Sequence, residues 1–357
     1  MDPQAIETIQ PAPRSDSRPA LLENQDRCIL CGSSRLQPFY VHRYTQWIRS
    51  LAPGLHCRWA MCLGCGLLIQ TPRVSEPWMR RVYAEQYRPT APNPSYLHGK
   101  ILDAEDKLTW LQSSIGAAGA SRTVLDIGCA EGSLLDVFRK RHWTVEGIEP
   151  TAVFAAWGRQ TYGVPITQGE FTSEAMDNRS FDLVILSHVL EHAYDPFALL
   201  RVAAQHISPA GHLLIEVPDM EQPGGNGIAG WLSIDHLWGF SFETLARCLR
   251  QAGLPIVRIE RCQTPRCAAI RALCSGSAAA DESAARSPSD GIAYYYRRLR
   301  RRYRRQRVTH FFRVGWKDAV ISTIRVVVPP HVAEGVVERL RQGYRRLTRR
   351  THRTRTE

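Results

Sequence analysis

The sequence predicts an α/β fold: a doubly wound, mostly parallel sheet with helices on both faces, preceded by a small cysteine-bound module. Three observations predict it. From Val124 an apolar strand runs into a glycine-rich turn at Gly128 and Gly132, and Leu134, Leu135, Val137 and Phe138 continue at helical spacing. Phe181 to Leu186 is a near-continuous apolar run, the pattern of a strand covered on both faces. Two Cys-x-x-Cys-Gly pairs, Cys28/Cys31 and Cys62/Cys65, stand ahead of both.

Composition sets the frame. With 357 residues and 44% apolar content the chain can build a full core. No run approaches the ~18 apolar residues of a membrane span, and Met1 to Asp26 is polar and proline-bearing, unlike a secretory signal. A cytoplasmic location is expected, where ten cysteines serve as thiols or metal ligands rather than disulfides. The net charge of +12 belongs to one end. Residues 294–357 hold 19 Lys/Arg against 4 Asp/Glu, so everything before them is slightly acidic.

Residues 1–26 read as a disordered leader. Residues 27–72 read as a zinc-binding module: each Cys-x-x-Cys-Gly suits a knuckle in which two thiolates converge on one ion, and four thiolates close a tetrahedral structural zinc site. His56 and Cys57 are nearby alternative ligands, read as bystanders. Residues 73–120 read as linking helices, with Ile101, Leu102, Leu108, Leu111 and Ile115 at roughly helical spacing. In the turn that follows, Gly128-x-Ala130-x-Gly132 is preceded by Asp126 and lacks the dinucleotide spacing G-x-G-x-x-G. A helix start offers unpaired N–H groups, and glycine lets a ligand approach the backbone. Glu149 closes the next strand about 20 residues beyond the first glycine, where an acid can take both ribose hydroxyls.

These residues resemble the first motif of the class I S-adenosylmethionine (SAM)-dependent methyltransferases, and the resemblance extends over about residues 28–274. It implies a Rossmann-like methyltransferase domain at 121–274. The cofactor site would be Asp126, Gly128, Ala130 and Gly132 behind the methionine part, Glu149 on the ribose, Glu170 and Phe171 at the adenine, and Ser187 and His188 bordering it. Ala130 replaces the commoner middle glycine. Ser187 to Pro196 resembles the "EH…DP" signature of one large subgroup, and His236 with Phe240-Ser241 resembles the block at its substrate rim. Val82 to Tyr87 resembles the link that reaches over the active site in zinc-module enzymes acting on sugars.

By residue chemistry, Asp195 and Ser241 are expected to cap helices, with Pro196 at a first helical position. Leu213 to Pro218 reads as the fifth strand, Pro223 to Gly230 as a mobile lid, and 256–260 with 267–273 as an antiparallel pair. Residues 275–293 read as a linker and 294–357 as a basic amphipathic tail. Its arginines beside Tyr294, Tyr295, Tyr296, Phe311, Phe312 and Trp316 suit an anionic membrane surface, placing the protein peripherally on the inner face; a solvated or oligomerising helix and nucleic acid are the alternatives. Methyl transfer to a hydroxyl, or to carbon beside a carbonyl, needs a base. His236 is the leading choice, with Tyr83 and His188 as further catalytic candidates and Tyr87 as a further substrate contact. The resemblance implies a sugar or cell-surface glycan substrate, lipid-linked if the tail seats the enzyme on the bilayer. Sugar C-methyltransferases usually continue into another C-terminal domain, where this chain has the tail. The alternatives are an RNA methyltransferase and a non-catalytic SAM-binding scaffold.

Overall fold

The computed structural model describes residues 21–43, 56–85, 90–115, 122–172, 179–222, 232–264, 267–276 and 292–310. The expected lid, Tyr87 and the tail beyond His310 lie outside the described residues. The elements run β1 (Leu22–Glu23), β2 (Leu36–Arg43), β3 (His56–Cys62), β4 (Leu68–Gln70), β5 (Arg73–Val74), α1 (Glu76–Glu85) and α2 (Pro94–Ile115), then β6 (Thr123–Ile127), α3 (Ser133–Arg139), β7 (Thr144–Glu149), α4 (Ala152–Tyr162), β8 (Ile166–Gln168) and β9 (Phe181–Ser187). After a single 3-10 turn at Leu190–His192 come α5 (Pro196–Gln205), β10 (Ile207–Pro218), β11 (Trp238–Gly239), α6 (Phe242–Gln251), β12 (Ile256–Gln263), β13 (Ala268–Ser275) and α7 (Ile292–His310). Among these, no helix is long and apolar enough to cross a membrane.

Seven strands form the main sheet in the order β12-β13-β10-β9-β6-β7-β8. The five from β10 to β8 are parallel, and β13 and β12 add antiparallel at one edge. Leu183, Val184, Ile185 and Leu186 in β9 are fully buried, which is what an unbroken apolar strand between two helical layers requires. Strand order reverses between β6 and β9, so the crevice for a ligand lies at their carboxyl ends. The caps form as the side chains dictate: Asp195 Oδ1 accepts from Ala198 N at 2.9 Å with Pro196 at the first helical position, and Ser241 pairs reciprocally with Thr244 at the start of α6.

The cysteine pairs lie on a second sheet, ordered β11-β4-β3-β2. Its edge strand β11 comes from far along the chain, pairing Trp238 with Ile69 and Gly239 with Leu68.

Two expectations need correction. The leader is not wholly without structure, since Leu22 pairs with Val74 and Glu23 with Arg73, the latter locked by Arg73 Nε to Glu23 Oε1 at 2.7 Å. The aromatic side of the tail's first helix, expected to face a membrane, instead packs on the cysteine module: Tyr303 is fully buried, its ring centroid 5.0 Å from that of Phe39, and Tyr296 donates to Pro38 O at 2.8 Å. Burying tyrosine rings against Phe39 and Met220 leaves the arginines Arg297, Arg298, Arg301 and Arg304 on the exposed side.

Candidate active site

A cavity of about 940 Å³ opens at the carboxyl ends of β6, β7 and β9. Gly128 and Ala130 line one wall, and both take positive φ, 73° and 52°. At Gly128 a Cβ would lie 2.7 Å from Val189 Cγ2, so the loop folds only without a side chain there. Ala130 carries the strain of a left-handed residue, and it is held there by its N–H, which donates to Glu149 Oε2 at 2.9 Å. The other oxygen of Glu149 accepts from Thr151 N at 2.8 Å, at the start of α4. The carboxylate is therefore fixed in place by backbone donors, with lone pairs left for a diol.

The structure brings Gly128, Ala130, Glu149, Glu170, Phe171, Ser187, His188, Tyr83 and His236 to this one cavity. Asp126 and Gly132 are not in its lining. Asp126 is buried beneath the loop, and burial, reinforced by Glu131 and Glu149, raises its carboxyl to about 7 against the pull of Lys100 and Lys107. Gly132 faces Val164 and Ile166, which a Cβ would strike, so it serves the packing of α3 on β8. Glu170 pairs with Arg80 across the opening at 2.9 Å, and the Phe171 ring packs edge-on to His206.

Sequence reasoning passed over Tyr96, Lys100 and Glu131. Tyr96 and Lys100 reach the cavity from α2. Glu131 is fully buried inside the glycine turn; burial favours its neutral form, but Lys100 and hydrogen bonds from Ser133 and Tyr96 win and hold its pKa low. The helical spacing of α2 carried no sign of this contact.

Behind the far wall lies a chain of charge, buried except at its Asp106 end. Lys107 Nζ sits 2.6 Å from Asp103 and 2.7 Å from Glu216; Glu216 also meets Arg271 Nε at 2.7 Å, and Arg271 meets Asp106 at 2.8 Å. His188 stands between Glu216 and Glu191, at 3.3 and 3.4 Å. Burial alone would discharge it, but Cys267, Glu191 and Glu216 more than offset that and raise its pKa well above the ordinary histidine value. A ring drawn towards its charged form suits positive charge in the wall better than proton acceptance.

His192 and His236 remain as the basic side chains, their rings edge to face with centroids 4.7 Å apart. His192 Nδ1 lies 2.7 Å from Asp235 O and 3.2 Å from the Tyr83 hydroxyl. The cysteine module positions His236: Gln70 Nε2 donates to His236 O at 2.7 Å, and Gln70 N donates to Leu237 O at 2.9 Å.

In that module Cys28 and Cys65 Sγ are 3.5 Å apart, and Cys31 and Cys62 Sγ 3.4 Å. All four lie within 4.8 Å of one another. Zinc–sulfur bonds of about 2.3 Å set sulfur separations of roughly 3.8 Å, so the set fits a tetrahedral ion. Gly32 and Gly66 give each knuckle its positive-φ turn, and their N–H groups return to Cys28 O and Cys62 O at 2.8 Å each. Cys57 stays apart, accepting from Trp59 Nε1.

A strand, a glycine turn, a fixed second-strand acid and a cavity at the topological switch define a nucleoside-binding α/β domain of the SAM-dependent type. Residues 99–259 match the family described as "Methyltransferase domain", so the chain carries a class I SAM-dependent methyltransferase domain. Among curated proteins, the ubiquinone biosynthesis O-methyltransferase of Pseudomonas fluorescens Pf-5 is 32% identical over 114 residues, 30% of this chain and 48% of that one. That of Ralstonia nicotianae is 32% identical over 113 residues, covering 30% and 47%. The chain thus spans about half the length of the curated relatives it matches. Among solved structures, magnesium protoporphyrin IX methyltransferase from Synechocystis PCC 6803 with bound SAH aligns over 56% of this chain and 99% of that one, at 16% identity and a TM-score of 0.41.

Proposed function

We propose that the chain is a SAM-dependent methyltransferase that methylates a hydroxyl of a sugar or glycan intermediate, with a structural zinc in the Cys28/Cys31/Cys62/Cys65 site. The observation that carries this is the placement of Tyr83, His192 and His236 on the same cavity as Gly128, Ala130 and Glu149. Acceptor activation and cofactor binding thereby share one space. SAM supplies an electrophilic methyl group on sulfonium sulfur. The chain's own work is to hold the ribose at Glu149, admit the acceptor past Tyr83, keep water out and receive the hydroxyl proton at the histidine cluster. The O–CH₃ bond forms as the S–CH₃ bond breaks, and sulfur keeps the electron pair.

The sugar assignment draws on the cysteine module ahead of the domain and on Val82 to Tyr87. A second reading, a hydroxyl on a quinone precursor, draws on the names of the curated relatives; those matches cover under a third of this chain. Peripheral attachment to an anionic bilayer through the exposed arginines of α7 belongs to the same proposal and suits either lipid-linked acceptor.

The test is incubation of the purified chain with methyl-labelled SAM and fractionated cell extract. Label in carbohydrate supports the sugar reading and label in a quinone precursor the second one. Label in RNA, or no label despite SAM binding, refutes both and favours nucleic acid methylation or a scaffold. His236→Ala is expected to lower kcat by about 10²–10⁴-fold, the usual worth of general base catalysis, with SAM affinity unchanged.

A further inference from the structure

Glu191 is 1% exposed, and neither carboxylate oxygen has a hydrogen-bond partner. His188 lies 3.4 Å from Oε1 at ion-pair distance, without a hydrogen bond aligned on it. Its carboxylate faces the cavity with the His188 ring at ion-pair distance but no hydrogen bond aligned on either oxygen, an arrangement that leaves room for a further partner.

The neighbouring rings explain what it is suited to. A ring nitrogen 2.7 Å from a carbonyl oxygen carries a proton, so the contact of His192 Nδ1 with Asp235 O leaves Nε2 as the ring position open to another partner. That Nε2 lies 3.8 Å from Glu191 Oε1. A proton or a metal ion between them makes this approach attractive. The backbone carbonyl that orients the ring is the partner that metal-ligating histidines use for their other nitrogen. His236 completes the set: one donor atom each from Glu191, His192 and His236 lie within 4.8 Å of one another.

We propose that Glu191, His192 and His236 bind a divalent first-row transition-metal ion at the wall of the cavity, in the two-histidine, one-carboxylate donor set that suits such ions and leaves coordination positions open. Metal–ligand bonds of about 2.0–2.2 Å place donors roughly 3 Å apart, so the cluster contracts by about 1 Å on binding. The inference rests on the hydroxyl-methylation reading and deepens it: with His192 and His236 as ligands, the ion replaces them as the means of activation, lowering the pKa of an acceptor hydroxyl that reaches it so that its proton leaves to solvent, and the substrate class becomes one that presents oxygen to a metal. The site is separate from the four cysteines, whose soft thiolates select zinc.

The test uses the full chain holding one zinc per chain, the amount its cysteine site takes up, titrated with Mn²⁺ and read by loss of the free-ion electron paramagnetic resonance signal. Thiolates compete poorly for Mn²⁺, so this probe reports the oxygen and nitrogen site. Wild type is expected to bind one Mn²⁺ saturably, and His236→Gln and Glu191→Gln to weaken it at least tenfold. If Glu191→Gln does not fold, His236→Gln carries the test, with its thermal midpoint and SAH affinity as controls. No saturable binding by wild type, or equal binding by wild type and folded His236→Gln, overturns the site. Full methyl transfer by chain holding only the one zinc of its cysteine site also overturns it while leaving the proposed reaction standing, whereas methyl transfer lost at every metal content despite Mn²⁺ binding counts against the reaction alone.

Discussion

Replacing Glu149 by Gln tests whether the acid is the cofactor's anchor, with almost no change of shape. Its two oxygens accept from Ala130 N at 2.9 Å and Thr151 N at 2.8 Å. A glutamine can meet only one of these with its carbonyl. Whichever way the amide turns, an –NH₂ faces a backbone N–H in a site that is 5% exposed. A stranded buried donor costs about 1–3 kcal/mol, and here the loss falls either on the N–H of Ala130, which sits at φ 52°, or on that of Thr151. The variant also loses charge-assisted hydrogen bonds to a ribose diol, which are worth about 1.5–3 kcal/mol, or roughly 10- to 150-fold in affinity. Isothermal titration with SAH reads the second effect and urea unfolding the first. Affinity within about twofold of wild type would refute the assignment of Glu149 to the cofactor. Normal stability with weakened affinity would instead show that the loop holds its shape without this carboxylate.

Two further substitutions probe the buried charges. Lys107→Met removes the ammonium between Asp103 and Glu216, where all three side chains are at most 4% exposed. Stranding buried partners costs about 3–5 kcal/mol, and because Arg271 still pairs with Glu216 the lower end is expected from urea unfolding; a loss under about 1 kcal/mol would contradict the network. Asp126→Asn should change the pH dependence of stability. With its folded pKa at about 7 against an unfolded value near 4, Asp126 keeps its proton in the native state over a range where the unfolded chain has lost it. Its contribution is therefore most favourable below pH ~4, falls as pH rises to about 7 and is flat above. The difference in unfolding free energy between variant and wild type should grow in favour of Asn across that window, and a difference constant from pH 4.5 to 8 would show that Asp126 ionises normally.

The main sheet was legible because each strand carries its burial in its residues. Phe181 to Leu186 could only be a two-sided interior strand, and Gly128 and Glu149 sit at spacings that a nucleoside site dictates. The four cysteines were legible because knuckle geometry is local. What the sequence did not display were contacts made across long separations. Tyr96 meets Glu131 from a helix whose apolar spacing looks ordinary. Asp126 and Gly132 look like ligand residues from within the motif, yet one lies beneath the loop and the other packs α3 on β8. The same blindness affected α7: a row of arginines and tyrosines reads as a surface, and only the position of Phe39 and Met220 shows where the tyrosines go.

The cysteine module does more than precede the domain, because its sheet is completed by β11. His236 lies two residues before that strand. On one side Gln70 holds its carbonyl and Leu237's; on the other Leu237 N donates to Glu191 O at 2.8 Å and Trp238 Nε1 to Ala193 O at 2.6 Å. The segment bearing His236 is thus stitched between the module and the loop bearing Glu191 and His192. A histidine on a free loop would sample many positions, and misplacement by 1 Å can cost 10²-fold in rate. Tying it into a sheet whose other strands are closed by four cysteines converts the stability of that module into the placement of one imidazole. On this view the cysteine cluster acts on the reaction through geometry alone, and its distance from the cavity is no argument against its importance.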